Sequence, residues 1–219
     1  MKIKYLGHAS FMITSANGTK IITDPYDAAY VAEGGPSYDE IKESADIVIV
    51  SHEHSDHNNV ATVRGNPEVV RGATTAEVKG INFKGMPTYH DDAGGKLRGN
   101  NAIICFEVDG IMICHLGDLG HPLSDKQTAE LGSVDILLIP VGGYYTIDAK
   151  TATQICDRLK PKVIIPMHYK TNKCGFPIAG VDEFARGKKN VDKLDTSEVE
   201  FKQGELPAST KIIILKPAL

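Results

Sequence analysis

Ser51-His52-Glu53-His54-Ser55-Asp56-His57 places three histidines and two carboxylates within seven residues. It follows directly on Asp46-Ile47-Val48-Ile49-Val50, an apolar, β-branched run of the kind that forms a buried strand. A strand that ends in H-x-H-x-D-H ends in metal ligands. In an extended backbone residues two apart face the same side, so His52 and His54 are expected to reach one ion. The chain must then turn, which frees Asp56 and His57 to point at a second ion. Imidazole and carboxylate together suit zinc, manganese or iron.

Working outward from this stretch, the 219 residues are 42% hydrophobic and 24% charged, ordinary values for a globular chain. One domain over residues 1–219 is the expectation, since no composition break or short repeat divides the chain. The net charge is −4 with acids and bases interspersed, which argues against a nucleic-acid surface or a polybasic membrane patch. No apolar run approaches the ~18 residues of a membrane span. The start, Lys2-Ile3-Lys4-Tyr5-Leu6, lacks the basic-then-apolar form of a signal peptide. Cys105, Cys114, Cys156 and Cys174 show no C-x-x-C pairing, which predicts reduced thiols and a cytoplasmic protein.

Upstream of the motif the pattern predicts strands over 2–6, 10–14 and 20–23, with Ala16-Asn17-Gly18 as a hairpin signal. Pro25 closes the third strand. A short helix is expected over 38–43, a strand over 46–50 and a short helix over 58–64. Short strands joined by glycines are expected over 68–87. Strands over 102–108 and 111–115 flank the hairpin signal Asp109-Gly110. The second half alternates: helix 125–131 capped by Ser124, strand 135–140, helix 149–159 capped by Asp148, strand 162–167, helix 181–186, then strands 198–202 and 210–215. Early hairpins followed by strand–helix alternation fit an α/β sandwich of two sheets with helices outside.

Two ions need more ligands than one motif supplies. His90, Asp118 and His168 each follow an apolar, strand-like run, so each would be delivered by a strand tip as His52 and His54 are. Strand tips converging on one edge let a rigid sheet place several ligands around an ion.

The combination of H-x-H-x-D-H, His90, Gly117-Asp118 and His168 resembles the metallo-β-lactamase-fold hydrolase superfamily over nearly the whole chain. Tyr5-Leu6-Gly7-His8-Ala9, Thr23-Asp24-Pro25, residues 140–146 and Pro166-Met167-His168-Tyr169 resemble its branch of ascorbate-6-phosphate lactonase-like proteins. The resemblance implies a four-layer αββα sandwich, two mixed sheets flanked by helices, with the site on one edge. It implies a first metal site of His52, His54 and His90, a second of Asp56, His57 and His168, and Asp118 bridging them. Zinc is the first expectation for the two divalent ions, with manganese or iron as alternatives.

Four positive charges from two such ions, less Asp56, Asp118 and a bridging hydroxide, leave about one positive charge, which favours anionic substrates or a developing oxyanion. Ions about 3.5–4 Å apart would lower the pKa of shared water and clamp both reacting oxygens. Asp56 would orient that water or take its proton, and Asp118 would act with it.

Asp24 and His8, at strand ends, are candidates to orient the ligands or, for His8, to touch substrate. His115 reads as a buried, hydrogen-bonded structural histidine, His121 as a solvated loop residue, and Glu53 as facing away from the ions. Gly143, Tyr144 and Tyr145 are candidates to line a substrate pocket, with a tight turn as the alternative. Arg98, Lys170 and Lys173 are candidates to meet a phosphate or carboxylate.

The expected activity is hydrolysis of a small, anionic ester or lactone. The alternatives are a phosphodiesterase acting on small nucleotides and a non-catalytic sensor on the same fold. A small-molecule partner is expected rather than nucleic acid or membrane, and homo-oligomerisation is compatible with this composition.

Overall fold

Strand β4 (Ile47–Val50) has no exposed residue, and its side chains divide between two cores. Ile47 and Ile49 join the main apolar cluster, whereas Val48 and Val50 join a second one with Leu6, Ile22, Tyr26, Tyr38 and Ile41. That alternation is the period of a strand covered on both faces. The computed structural model describes residues 1–29 and 34–219.

Two mixed sheets form the sandwich. The first runs β13 (Glu198–Glu200), β1 (Lys2–Gly7), β2 (Ser10–Thr14), β3 (Lys20–Thr23), β4, β5 (Glu68–Arg71). The second runs β12 (Val191–Lys193), β14 (Lys211–Ile214), β11 (Val163–Met167), β10 (Ile136–Pro140), β9 (Ile111–His115), β8 (Asn100–Val108), β7 (Ile81–Tyr89), β6 (Thr75–Val78). Residues of both sheets meet in the main cluster, including Ile13 and Ile21 from the first and Ile113, Leu138 and Ile165 from the second.

Strand direction gathers the ligand-bearing tips. β3 and β4 are parallel, as are β9, β10 and β11. β1 is two antiparallel steps from β3, and β7 two from β9. All of these strands therefore end on one edge, and the loops leaving them carry the candidate site. On the other edge the hairpin turns meet, where Ala16 N donates to Asp109 Oδ2 at 2.7 Å.

The helices α1 (Asp125–Leu131), α2 (Ala149–Leu159) and α3 (Val181–Ala185) lie in the second half. Ser124 forms a capping box with Gln127, and Asp148 Oδ1 accepts from Thr151 N. Helix α2 buries Ala149, Ala152, Ile155 and Cys156. No helix among the described residues is long and apolar enough to cross a membrane.

Several local expectations need correction. Residues 38–43 form no helix. Their polar groups are taken by distant partners instead: Asp39 O accepts from Tyr26 Oη at 3.0 Å and the Tyr38 hydroxyl pairs with Thr171 Oγ1 at 2.8 Å. Tyr38 and Ile41 cover the outer face of the first sheet as irregular chain. Over 58–64 only a 3-10 turn forms, Val60–Thr62. Short strands joined by glycines do form over 68–87, with Gly72 and Gly80 in the connections between β5, β6 and β7, but β7 runs on for nine residues through Gly85. Gly85 continues the ladder because a Cβ there would lie 2.5 Å from Gly72 O, so the packing needs a bare backbone. β12, three residues long, was not anticipated. All four cysteines are free thiols, with Cys105 and Cys114 cross-strand neighbours at an Sγ–Sγ distance of 2.8 Å.

A candidate metal centre at the sandwich edge

The strand β4 stops at Val50, and Ser51–His57 is bend and turn rather than strand. The convergence of His52 and His54 is therefore made by a loop, not by extended backbone. His57 N donates to His54 O at 2.9 Å, closing the turn. His52 Nε2 and His54 Nδ1 lie 3.1 Å apart, and these two with His90 offer ligand atoms within 4.8 Å of one another. His52 and His90 are buried, while His54 is exposed. A second group brings together His8, Asp56, His57 and His168, all buried, within the same limit.

Asp118, after β9, sits between the two groups. Its Oδ2 is 3.1 Å from His90 Nε2, 3.2 Å from His57 Nε2 and 3.2 Å from His168 Nε2. Its backbone N donates to Asn101 Oδ1 at 2.9 Å, and Asn101 Nδ2 in turn donates to Leu116 O and Thr88 Oγ1. The loop bearing Asp118 is thus tied to β7 and β8. Gly117, at φ 53, and Gly120 admit tight packing here: a Cβ at Gly120 would lie 2.2 Å from the His90 carbonyl carbon.

Asp24, buried at the end of β3, orients the histidines. It accepts from Ser51 N at 2.7 Å, Ser51 Oγ at 2.6 Å, His57 Nδ1 at 3.1 Å and His115 Nε2 at 2.8 Å. Because the Ser51 hydroxyl donates to Asp24, it accepts from His52 Nδ1 at 2.9 Å. Both His52 and His57 therefore carry their proton on Nδ1 and keep the Nε2 lone pair for the centre of the site. Buried His57 Nε2 and Asp118 Oδ1 have no hydrogen-bond partner. Bare imidazole nitrogens facing buried carboxylates are the donor chemistry of a divalent cation.

The electrostatics agree. Burial opposes charge on His57, yet Asp118 and Asp56 push its pKa well up. Burial would raise Asp118, but His168 and His57 hold it well below the usual carboxylate range. Burial and then His57 drive His52 down. Burial and His168 lower His8 to about 4, against the pull of Asp56. The region of Asp118, Asp56 and His57 is thus a field that favours a cation.

A cavity of about 510 Å³ opens over Asp118, His54, His90 and His168, with Tyr145, Phe176 and Arg98 on its walls. Among the described residues lining it, Arg98 is the only cationic one. Its Cζ lies 5.5 Å from the Tyr145 ring centroid. A neighbouring cavity of about 650 Å³ shares Glu53, His54 and Arg98 and adds Arg71. Arg98 is positioned by Asp91, which is buried and accepts from the backbone N of Ala93, Gly95, Leu97 and Arg98 at 2.7–2.9 Å. Burial works against that charge, but the N–H groups of Arg98, Gly95, Leu97 and Ala93 outweigh it and hold the pKa to about 2.

Of the other candidates, His8 and Asp24 lie in the cluster, and His115 is a buried partner of Asp24. Tyr145 faces the cavity, while Tyr144 is 64% exposed at φ 63. Gly143, at φ 66, forms the turn before α2, with its N donating to Ile147 O and its O accepting from Tyr145 N. Lys170 is exposed and donates to Phe176 O, and Lys173 pairs with Asp39; neither lines the cavity. Glu53 pairs with Arg71 at 3.0 Å on the rim. His121 is half-buried, and its Nε2 accepts from Tyr89 N at the end of β7. Sequence reasoning overlooked Asn101, Asp91 and Phe176. Only the Asp91-Asp92 pair before a glycine-rich loop carried a signal, that of an Asx-type loop anchor.

Residues 2–168 match the β-lactamase superfamily domain. A UPF0173 metal-dependent hydrolase of Carboxydothermus hydrogenoformans is 34% identical over 83% of this chain and 88% of that one. Another from Pyrococcus furiosus is 32% identical over 99% and 97%. A solved structure from Thermotoga maritima, described as a candidate Zn-dependent hydrolase of the metallo-β-lactamase superfamily, superposes with a TM-score of 0.80 at 37% identity, covering 98% of this chain and 97% of that one.

Proposed function

The chain belongs to the metallo-β-lactamase superfamily as a metal-dependent hydrolase, and from that premise we propose that it uses two divalent ions to open a small, anionic ester or lactone. His52, His54 and His90 would hold one ion, Asp56, His57 and His168 the other, with Asp118 shared. Zinc suits a set dominated by imidazole, and the Thermotoga relative is described as Zn-dependent. Bound there, such ions supply a hydroxide nucleophile near neutral pH and Lewis-acid stabilisation of a developing oxyanion.

The chain's own groups supply the rest. Asp56, at the cavity wall and 3.1 Å from His8 Nε2, would hold a proton released at the centre. Asp24 keeps His52 and His57 in one tautomer through the cycle. Tyr145 and Phe176 give the substrate an apolar wall. The observation that carries the substrate class is Arg98, the cation on that wall. A planar guanidinium braced on an aromatic ring suits a carboxylate or phosphate.

The test is hydrolysis by Zn-, Mn- and Fe-loaded protein of lactones and esters in charged and neutral pairs, with phosphodiesters alongside and Asp118→Ala as the inactive control. Arg98→Gln should raise KM about tenfold or more for the anionic member of a pair, the worth of one charge-assisted hydrogen bond. Equal KM changes for charged and neutral members would remove Arg98 from recognition. Turnover confined to phosphodiesters would replace the ester reading.

A further inference from the structure

His8 follows β1 in a left-handed backbone, φ 55, which an ordinary residue holds only under constraint. Both constraints are visible. Its carbonyl accepts from the Tyr5 hydroxyl at 3.0 Å and from His168 N at 2.8 Å. The peptide is thereby fastened to the first residue after β11, and the imidazole is directed into the seam between the sheets. It is 1% exposed. Its ring centroid lies 4.3 Å from that of His168 and 4.9 Å from that of His57.

His8 Nε2 is 3.1 Å from Asp56 Oδ2. That separation suits a hydrogen bond, and it equally suits two ligand atoms of one ion, because metal–ligand bonds of about 2.0–2.2 Å place neighbouring donors about 3–4 Å apart. A hydrogen bond to Asp56 alone asks nothing of His57 and His168. Yet one ligand atom from each of His8, Asp56, His57 and His168 falls within a single 4.8 Å group.

We propose that His8 is a protein ligand of the second ion, joining Asp56, His57 and His168 beside the shared Asp118. The inference rests on the two-ion reading above. It makes the two positions unequal. The donors of the second are all buried, whereas the first includes exposed His54, although ligands of both positions line the cavity.

The experiment titrates metal-free protein with Zn²⁺ against a chromophoric chelator, and with Co²⁺ read by its d–d absorption. It compares wild type, His8→Gln and His8→Ala. Glutamine keeps an N–H for Asp56 but ligates poorly. Wild type should bind two ions per chain. In His8→Gln one step should stay within about threefold, which also certifies the fold. The other should weaken by more than about 100-fold, beyond the usual cost of losing a supporting hydrogen bond, with a changed Co²⁺ spectrum. His8→Ala should behave the same way. Wild-type steps and spectrum in His8→Gln, with weakening only in His8→Ala, would reduce His8 to a hydrogen-bond partner and overturn the assignment. So would loss of both steps in a variant that still melts cooperatively. His8→Asn replaces His8→Gln if the latter does not melt cooperatively. Fewer than two ions on wild type would overturn the two-ion reading and this inference with it.

Discussion

Asp24 lines neither of the two cavities at the site, yet it orients ligand histidines of the centre. Four donors converge on one buried carboxylate, two from Ser51 and one each from His57 and His115. In Asp24→Asn the amide must turn an N–H toward at least one donor, leaving a buried polar group unsatisfied. The expected cost is about 1–3 kcal/mol of stability. The histidine tautomers would also be released, weakening metal binding by about 10–100-fold. Chemical denaturation and chelator competition read these two effects separately. Unchanged metal affinity in a folded variant would show that the tautomers are set elsewhere. The strand-tip histidines themselves were legible because each follows an apolar run that must stop where it meets solvent. The Asp24–Ser51–His52 relay was not, since it joins residues 24 and 51 through tertiary contact and leaves no period in the sequence. Asn101 was hidden for the same reason: its role is three side-chain hydrogen bonds, to Thr88 Oγ1, Leu116 O and Asp118 N, all distant in sequence.

At the scale of elements, patterning succeeded where periodicity and caps coincide. Helix 125–131 was delimited by its Ser124 cap, and helix 149–159 by its Asp148 cap and its apolar stripe. It failed over 38–43, where long-range partners take the groups a helix would use, and at β12, too short to show a period. The loop from Ala93 to Arg98 belongs to a third category, an element organised by one side chain. Its glycines permit the turns, but the four N–H groups collected by Asp91 decide its shape. Asp91→Ala should therefore free the loop without unfolding the sheets. Amide exchange at Gly95, Leu97 and Arg98 should accelerate at least about tenfold while β8 and β9 keep their protection. Anionic substrates should lose the KM advantage conferred by Arg98. Unaltered exchange in that loop would mean its shape is set by its glycines and neighbours rather than by Asp91.

Across the molecule, the two sheets are joined differently at their two edges. At the hairpin edge Ala16 and Asp109 fasten one sheet to the other by a hydrogen bond. At the site edge the first sheet contributes His8, Asp24 and the Ser51–His57 loop, and the second contributes His90, Asp118 and His168. Metal ions bound there would bridge the sheets and neutralise Asp56 and Asp118, both buried. Such ions bind the native state and find no preformed site in the unfolded chain, so occupancy is stability. Free metal at about 100 times its dissociation constant adds about 2.7 kcal/mol per ion. For a domain of this size that corresponds to a Tm rise of about 5–10 °C per ion. Chelation should reverse the rise, and readdition of Zn²⁺ should restore it. The loss should also be local before it is global: on chelation, amide exchange should increase in the segments following β4, β9 and β11 while the Ala16 and Asp109 turns keep their protection. A Tm unmoved by chelation in protein that measurably gave up its metal would show that the sandwich edge is held by its hydrogen bonds alone. Uniform exchange at both edges would mean that the ions stabilise the sandwich as a whole instead of clasping one side of it.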